Sequence, residues 1–425
     1  MFAEVSESKF KRIAEYLDEV RLLGAGLFCL ALGIFLGNAL IAAGHTLSAV
    51  GVGMALFRRQ GLKERAAAMP ASAKWLVVFS LVAVVSVLAN WGEIDSQFGY
   101  IKKVRYYFIY AAILLVPDVC AELLRAPRWR NSYVLAWLVP MVLAAIVGTI
   151  AVIRLDHPFA DLPTGRVERH AGLQGEVMTF AYGLQFSVIA LTVLLFVPSI
   201  WKALTRISWR WVIPFALIAG SSMYLTYSRG AMLGVVVGLT MFAMMKSRWL
   251  VIAVLAVGLV GGGVAALEGA RYFQFEESVR KNQWEAAGLA FLENPGFGLG
   301  FRNFEAQSVA LKERYGLEKD IIGGVSGESV PRYFNGHAHN NYLEAFASTG
   351  VLGGLSFLAF CASWLWESWR SPYAMLFVPL IAAFLVSGFF ENTFFDSEVL
   401  NAVLLIYLCS QASRFAGKES KPRTT

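Results

Sequence analysis

The chain has 425 residues, of which 57% are hydrophobic and only 16% are charged. An ordinary soluble domain carries about 25% charged residues, so this composition excludes a soluble enzyme, a coiled coil and a disordered chain. A transmembrane helix uses roughly 20 apolar residues, and the hydrophobic content is enough for about a dozen such helices. The composition therefore predicts an all-α polytopic membrane protein.

The first 21 residues are rich in charge, and Phe10, Ile13 and Leu17 recur there at helical spacing. This spacing predicts an interfacial helix on the cytoplasmic side. The same segment is too charged for a cleavable signal peptide. All four cysteines lie in apolar segments or at their ends, so no disulfide framework is expected.

Twelve apolar runs follow, each bounded by charged or turn residues. Nine form transmembrane helices 1–9 within residues 22–267, and three more lie within 341–412, before a basic tail at 413–425. The second run is short and depends on a break at Gly44 and His45. The runs fall near 22–43, 45–57, 75–92, 104–118, 133–153, 178–200, 210–227, 229–245, 248–267, 341–366, 372–390 and 396–412.

Lysine and arginine are shared unevenly between the two sides of this layout. With a cytoplasmic N-terminus, the cytoplasmic segments hold 22 of these cations and the short loops on the opposite side hold seven. The positive-inside rule then predicts that both termini are cytoplasmic. The local exception is Lys102, Lys103 and Arg105, three cations at an outer helix end.

The one large outer loop covers residues 268–340. Its pattern predicts an amphipathic helix over Glu276–Leu292, a turn at 293–300 and a second, polar helix over Phe304–Tyr315. Glycines and Pro331 then indicate irregular chain. The turn sequence GFGLG follows a helix and has no βαβ context, so it does not predict a nucleotide site.

Arg229 is the only charge between Trp211 and Met245. This run is too long for one ordinary span, so it must fold back near its middle, which places Arg229 at the outer end of a helical hairpin. A charge at membrane depth is costly, and a bound anion could offset that cost. A snorkelling or carbonyl-capping arginine is the alternative interpretation.

Two histidines occur where the long loop enters the tenth span, in the sequence NGHAHNNYLEAF. A neutral imidazole at a membrane-surface cleft suits proton abstraction, and we expect one of His337 and His339 to be structural instead. No third histidine or cysteine lies nearby, so no metal site is predicted. On the preceding helix, Arg280 shares a face with Trp284. If that face packs on the membrane core, Arg280 lies over the cleft. The alternative interpretation is a solvated surface arginine.

Three elements in this order resemble the O-antigen ligases, within the broader O-antigen ligase/polymerase superfamily. The first is the SRG sequence at Ser228–Gly230, and the second is R-x3-W…NP-x-x-G-x-G from Arg280 through Gly300. The third is H-N-x9-G-x-x-G, which His339, Asn340, Gly350 and Gly353 match. The twelve-span layout with one dominant outer loop extends the resemblance over most of the chain.

The resemblance implies an inverting, metal-independent glycosyltransferase of membrane-embedded, GT-C-like architecture that uses no cofactor. It would move O-antigen polysaccharide from undecaprenyl pyrophosphate to a sugar hydroxyl of lipid A–core, at the periplasmic face of the bacterial inner membrane. Arg229 and Arg280 would stabilise the pyrophosphate leaving group, and His339 would act as the base. Weaker candidates for binding the pyrophosphate or the acceptor are His337, Asn340, Asn341, Arg302, Lys103 and Arg105.

Other functions remain open on sequence alone. An O-antigen polymerase would use the same donor with a lipid-linked glycan as acceptor, although polymerases usually carry two sizeable outer loops. A metal-dependent transferase would use an acidic pair, for which Glu93 with Asp95 or Glu318 with Asp320 has the spacing. A non-enzymatic lipid-glycan transporter would have related halves and broken helices near the midplane, and the sequence has neither.

Overall fold

The structure is a computed structural model that describes residues 18–59, 61–154, 170–173, 175–269, 273–323 and 329–418. Most of the expected interfacial segment at 1–21 and the end of the basic tail lie outside these residues. The helices are α1 (Glu19–Leu36), α2 (Asn38–Arg59), α3 (Leu62–Ala68), α4 (Ala71–Ala89), α5 (Gln97–Ile113), α6 (Pro117–Arg125), α7 (Pro127–Arg154), α8 (Val177–Phe196), α9 (Pro198–Leu204), α10 (Val212–Leu225), α11 (Arg229–Lys246), α12 (Arg248–Gly269), α13 (Phe273–Glu293), α14 (Phe304–Arg314), α15 (Asn341–Trp369), α16 (Ala374–Ser387) and α17 (Ser397–Lys418).

Each of the twelve predicted apolar runs overlaps one of these helices. Seven described helices are long and apolar enough to cross a membrane, and the pair α5 and α6, bent by 76° at its break, makes eight if it counts as one span. This architecture is that of a polytopic, helical membrane protein. The count of twelve spans stays a prediction.

The break between the first two spans is not where the sequence predicts it. The chain turns at Gly37, whose φ is +101°, whereas Gly44 and His45 lie inside α2. A Cβ atom at Gly44 would come 2.7 Å from a side-chain carbon of Leu30, so this glycine serves close packing of α2 on α1. His45 is buried, its ring 4.4 Å from that of Tyr106, so it packs between helices instead of marking the predicted break.

The end of the long loop is also more regular than predicted. Residues 320–323 form β1 (Asp320–Gly323), which pairs antiparallel with β2 (Ser329–Arg332). Pro331 stands opposite Ile321 in this register. A proline is compatible with the ladder because each strand of a two-stranded sheet keeps one edge free of partners. The two helices predicted in the loop are confirmed as α13 and α14.

The turn between α13 and α14 is inserted into a break in α15. The break lies at Gly350, where φ is +68° and ψ is −167°. The amide of Leu299 donates to the carbonyl of Ala347 at 2.9 Å, and the amide of Val351 donates to the carbonyl of Pro295 at 2.8 Å. On the other side, the Ser86 hydroxyl of α4 lies 2.6 Å from the Phe297 carbonyl oxygen. The outer loop is therefore fixed to the membrane helices at this point.

We predict that Gly350→Ala lowers the thermal stability of the purified protein. This combination of positive φ and extended ψ is essentially restricted to glycine and costs an L-residue about 1–3 kcal/mol, and the new methyl group would also collide with the Gly296 carbonyl. The measurement is thermal unfolding in detergent. Gly288→Ala on α13 is the control, because no atom lies within 4 Å of its new Cβ, and it should gain up to about 1 kcal/mol. Equal melting temperatures for Gly350→Ala and wild type would contradict this account of the break.

Candidate active site

A cavity of about 210 Å³ lies where the start of α8, the residues before α15 and the connection between α16 and α17 meet. Its lining combines the two predicted histidines with one arginine and several carboxylates. The lining residues are Glu176, Met178, Thr179, Tyr182, Arg302, Glu305, His337, His339, Glu344, Glu391, Asn392, Thr393, Phe395, Asp396 and Val399.

One carboxylate oxygen joins the two histidines. The Oε1 atom of Glu391 lies 2.8 Å from Nε2 of His337 and 2.9 Å from Nδ1 of His339. The Glu391 side chain is only 7% exposed, whereas those of His337 and His339 are 34% and 22% exposed. In the neutral tautomer of His339 in which Nδ1 donates to Glu391, Nε2 is free of a proton and can act as a base.

Two asparagines hold the segment that carries Glu391 against the start of α15. The side chain of Asn341 donates to the Thr393 hydroxyl at 2.8 Å and accepts from the Phe394 amide at 2.8 Å. Asn340 donates to the Phe389 carbonyl and caps the helix by accepting from the amides of residues 342 and 343. Neither asparagine lines the cavity. Their predicted contact with substrate stays a prediction, and the contacts observed are those of positioning residues.

The charges in this cluster are strongly coupled. Burial would lower the pKa of His337, but the hydrogen bond and the charge of Glu391 outweigh it and raise that pKa to about 8. Burial likewise opposes ionisation of Glu391, yet the two histidines hold its pKa well below the usual range of a glutamate. At neutral pH, Glu391 is therefore an anion and His337 is largely an imidazolium.

Arg302 is the arginine that reaches the cavity. It follows the docked turn, where Gly298 and Gly300 have φ values of +63° and +102°. A Cβ atom at Gly298 would lie 2.5 Å from the Ala347 carbonyl oxygen, so only glycine fits this contact with α15. The glycines of the motif thus bring the loop close enough to α15 to place Arg302 beside the histidines.

Three described residues other than glycine have a left-handed backbone, and each belongs to one motif region. They are Tyr227 (φ +50°), Arg302 (φ +64°) and His339 (φ +46°). Such conformations are costly for residues with a side chain, and they cluster at functional sites. Two of these residues line the cavity, and Tyr227 precedes Ser228 and Arg229.

Arg229 begins α11 beside the cavity without being part of its lining. The Ser228 hydroxyl lies 3.7 Å from the sulfur of Met178, and Gly230 packs against Tyr182 and Phe390. The predicted hairpin tip is therefore present, with α10 ending at Leu225, and it lies next to the cavity wall.

The other predicted cations are less close to the site. Arg280 is half-buried on α13 and is absent from the cavity lining, so its predicted role is untested by this geometry. Lys103 lies within electrostatic range of Arg302, Glu305 and Asp396. Arg105 instead lies over the Tyr106 ring at 5.3 Å.

Sequence reasoning missed Glu391, which is 52 residues from His339. The available signal was a carboxylate between two apolar runs, in the sequence FFENTFFD, because a charge at such a position is rarely without a partner. Glu391 also supplies the third ligand whose apparent absence argued against a metal. Donor atoms of His337, His339 and Glu391 lie within 4.8 Å of one another, close enough to hold an ion.

A buried carboxylate joined to two half-buried histidines, in a bundle of apolar helices, defines the class of protein as a polytopic membrane protein with a polar site at one end of its helices. Residues 214–358, about a third of the chain, match the family model described as O-antigen ligase. The match includes Arg229, Arg280, Arg302 and both histidines, and it supports the family membership that the motifs indicate. No curated protein matches the chain.

We predict that the stabilising contribution of His337 depends on pH. Its pKa in the folded protein, about 8, exceeds its ordinary value, so the contribution is complete below about pH 6.5 and is lost as the pH rises through 8. The melting temperature of wild type should therefore exceed that of His337→Gln most at pH 6 and least at pH 9. His170, whose pKa burial lowers, is the control: the advantage over His170→Gln should fall as the pH drops. If the wild-type advantage in melting temperature changed with pH in the same direction for both variants, the raised pKa of His337 would be contradicted.

Proposed function

We propose that the chain is an inverting O-antigen ligase. The donor is a polysaccharide on undecaprenyl pyrophosphate, the acceptor is a sugar hydroxyl of lipid A–core, and the cavity opens to the periplasmic face of the bacterial inner membrane. The observation that carries the proposal is the His339–Glu391 pair in a cavity that also contains Arg302. We also propose that all twelve helices that match the predicted runs cross the membrane in a GT-C-like arrangement, with both termini cytoplasmic.

In this proposal, His339 is the base. Its Nε2 atom takes the proton of the acceptor hydroxyl as that oxygen attacks the anomeric carbon of the donor. The bond from the anomeric carbon to the pyrophosphate oxygen breaks, and the electron pair leaves with the pyrophosphate. Glu391 keeps Nδ1 protonated and stabilises the imidazolium that forms. His337 is already largely protonated at neutral pH, which makes it a poorer base and a better positioning partner.

Arginines would stabilise the pyrophosphate as it leaves. Arg302 lines the cavity and Arg229 begins α11 beside its wall, so these two are the best placed of the cations. A guanidinium suits a phosphate because its planar fork gives two parallel hydrogen bonds. Arg280 is kept as a third candidate on its motif alone.

We predict that His339→Ala lowers turnover by roughly 10²–10⁴-fold, the usual contribution of a general base. Donor binding should change little, because the base acts only as the hydroxyl attacks. Glu391→Gln should also lower turnover, whereas His337→Ala should cost less. Arg302→Ala and Arg229→Ala should weaken donor binding as well as turnover, with poor rescue by lysine.

The measurement is donor binding and transfer by the purified, folded variants, with Glu313→Gln on the exposed face of α14 as the control. An active His339→Ala beside an inactive His337→Ala would move the base to His337. Isolation of the product separates the ligase from a polymerase, since only a ligase gives glycan joined to lipid A–core.

We predict that transfer survives exhaustive chelation. Glu391 Oε1 already accepts hydrogen bonds from both imidazoles and from the Asn392 amide at 3.0 Å, so the oxygen atom that joins the two histidines has its acceptor positions filled without a metal ion. The measurement is transfer before and after dialysis against EDTA. Loss of transfer that a divalent cation restores would instead make His337, His339 and Glu391 a metal centre.

We predict that cysteines introduced on the two sides of the membrane react with a maleimide under different conditions. In a background without native cysteines, Glu313→Cys on α14 should react with an impermeant maleimide in spheroplasts. Lys63→Cys on α3 should react only after the membrane is permeabilised. Both positions are exposed, so accessibility in the fold does not limit labelling. The reverse pattern would place the cavity on the cytoplasmic face.

A further inference from the structure

Carboxylates outnumber cations in the cavity that contains the histidines. Arg302 is the one arginine in its lining, and His337 is largely protonated at neutral pH. A highly charged pyrophosphate is therefore poorly suited to the interior of the cavity, although it suits the arginines at its wall. The acidic lining residues are Glu176, Glu305, Glu344, Glu391 and Asp396.

Besides Glu391, two of these carboxylates have structural partners. Glu344 accepts from the Ala338 amide at 3.0 Å and the Ser348 hydroxyl at 2.9 Å. Asp396 accepts from the Thr179 hydroxyl and from two amides at the start of α17. Glu176 and Glu305 are exposed, and within the described part of the chain neither forms a salt bridge. They are available to a ligand.

Two buried acceptor atoms in the lining have no donor among the described residues. They are Oε2 of Glu391 and Oδ1 of Asn392, on residues that are only 6% and 8% exposed. Leaving a buried acceptor unsatisfied is costly, so such atoms in a cavity wall favour a ligand that brings hydrogen-bond donors. Carboxylates at the same cavity accept hydrogen bonds but, when ionised, donate none.

The chemistry and the size of the cavity agree on one kind of ligand. A sugar ring carries several hydroxyl donors and no charge, which matches a lining rich in acceptors. At about 210 Å³ the cavity is smaller than the roughly 300–1,000 Å³ clefts that hold drug-sized ligands. It therefore takes a single ring, whereas a chain of sugars would extend out of it.

We propose that this cavity is the subsite for the acceptor sugar, and that it selects an uncharged, hydroxyl-rich ring over a phosphorylated or carboxylated one. Glu176 and Glu305 set this selectivity by repelling anionic substituents at the mouth. The assignment rests on the proposed ligase function. It separates the two substrates, with the acceptor among the carboxylates and the pyrophosphate at the arginines.

The test is the binding of small sugars to the full-length protein in nanodiscs, measured by saturation-transfer NMR. The probes are the methyl glycosides of glucose, galactose and N-acetylglucosamine, each paired with its 6-phosphate. In wild type, at least one neutral glycoside should bind about tenfold or more tightly than its phosphate at low salt. In Glu176→Gln/Glu305→Gln this ratio should fall towards one, mainly because the phosphate binds better. The control Glu313→Gln/Glu318→Gln should keep the ratio.

If no neutral glycoside binds in preference to its phosphate, or if the double variant keeps the wild-type ratio, the proposal is overturned. Binding requires no turnover, so the two hypotheses fail separately. Charge selectivity without any transfer of lipid-linked glycan would leave the acceptor subsite standing and reject the ligase function. Transfer to lipid A–core without charge selectivity would support the ligase function and reject the acceptor subsite.

Discussion

The buried carboxylate of Glu391 is the constraint around which one end of the helical bundle is arranged. A charge removed from water is tolerated only when it is paired and hydrogen-bonded. Here both imidazoles and a backbone amide meet one oxygen atom. To bring these groups together, the chain before α15 must lie against the connection between α16 and α17. Asn340 and Asn341 supply that attachment.

A second attachment makes the outer loop part of the same unit. The glycine-rich turn enters the break of α15 at Gly350, and hydrogen bonds on both sides of the break replace those that a continuous helix would make. Ser86 of α4 also bonds to the carbonyl of Ser348 at 2.8 Å. Two motifs that are separate in sequence are thus one packing arrangement, in which Gly298 and Gly350 are required by close backbone approach.

Much of this architecture could be predicted from the sequence, because hydropathy and charge report directly on apolar helices. The hairpin tip at Arg229 and the two helices of the long loop follow from local patterns. Gly37 and Gly44 were confused because a glycine can end a helix or let two helices approach, and the sequence alone does not separate these uses. The hairpin at Pro331 was missed because its short strands carry no alternating pattern.

The composition of the site was harder to predict than its location. His337, His339 and Arg302 converge as expected, but Glu391 joins them through a contact between distant segments. Helical spacing left open whether Arg280 lies over the cleft or is a solvated surface arginine, because the side of a helix that faces a cavity depends on how the helix docks. Local periodicity shows which residues share one face of a helix, but it does not show what that face packs against in the folded protein.

The left-handed backbone at Arg302 and His339 has a consequence for how the site can be lost. An L-residue in this conformation costs about 1–2 kcal/mol, whereas glycine adopts it freely and gives back only about 0.5–1 kcal/mol through its greater chain entropy. A mutation of Arg302 to glycine would therefore remove a side chain of the proposed active site at little cost in stability. His339 differs, because its imidazole is a partner of the buried Glu391 carboxylate and its loss would leave that charge less well paired. Folding thus selects for the histidine and not for the arginine, so a drifting copy of the gene that lost Arg302 would yield an abundant, well-folded and inactive membrane protein.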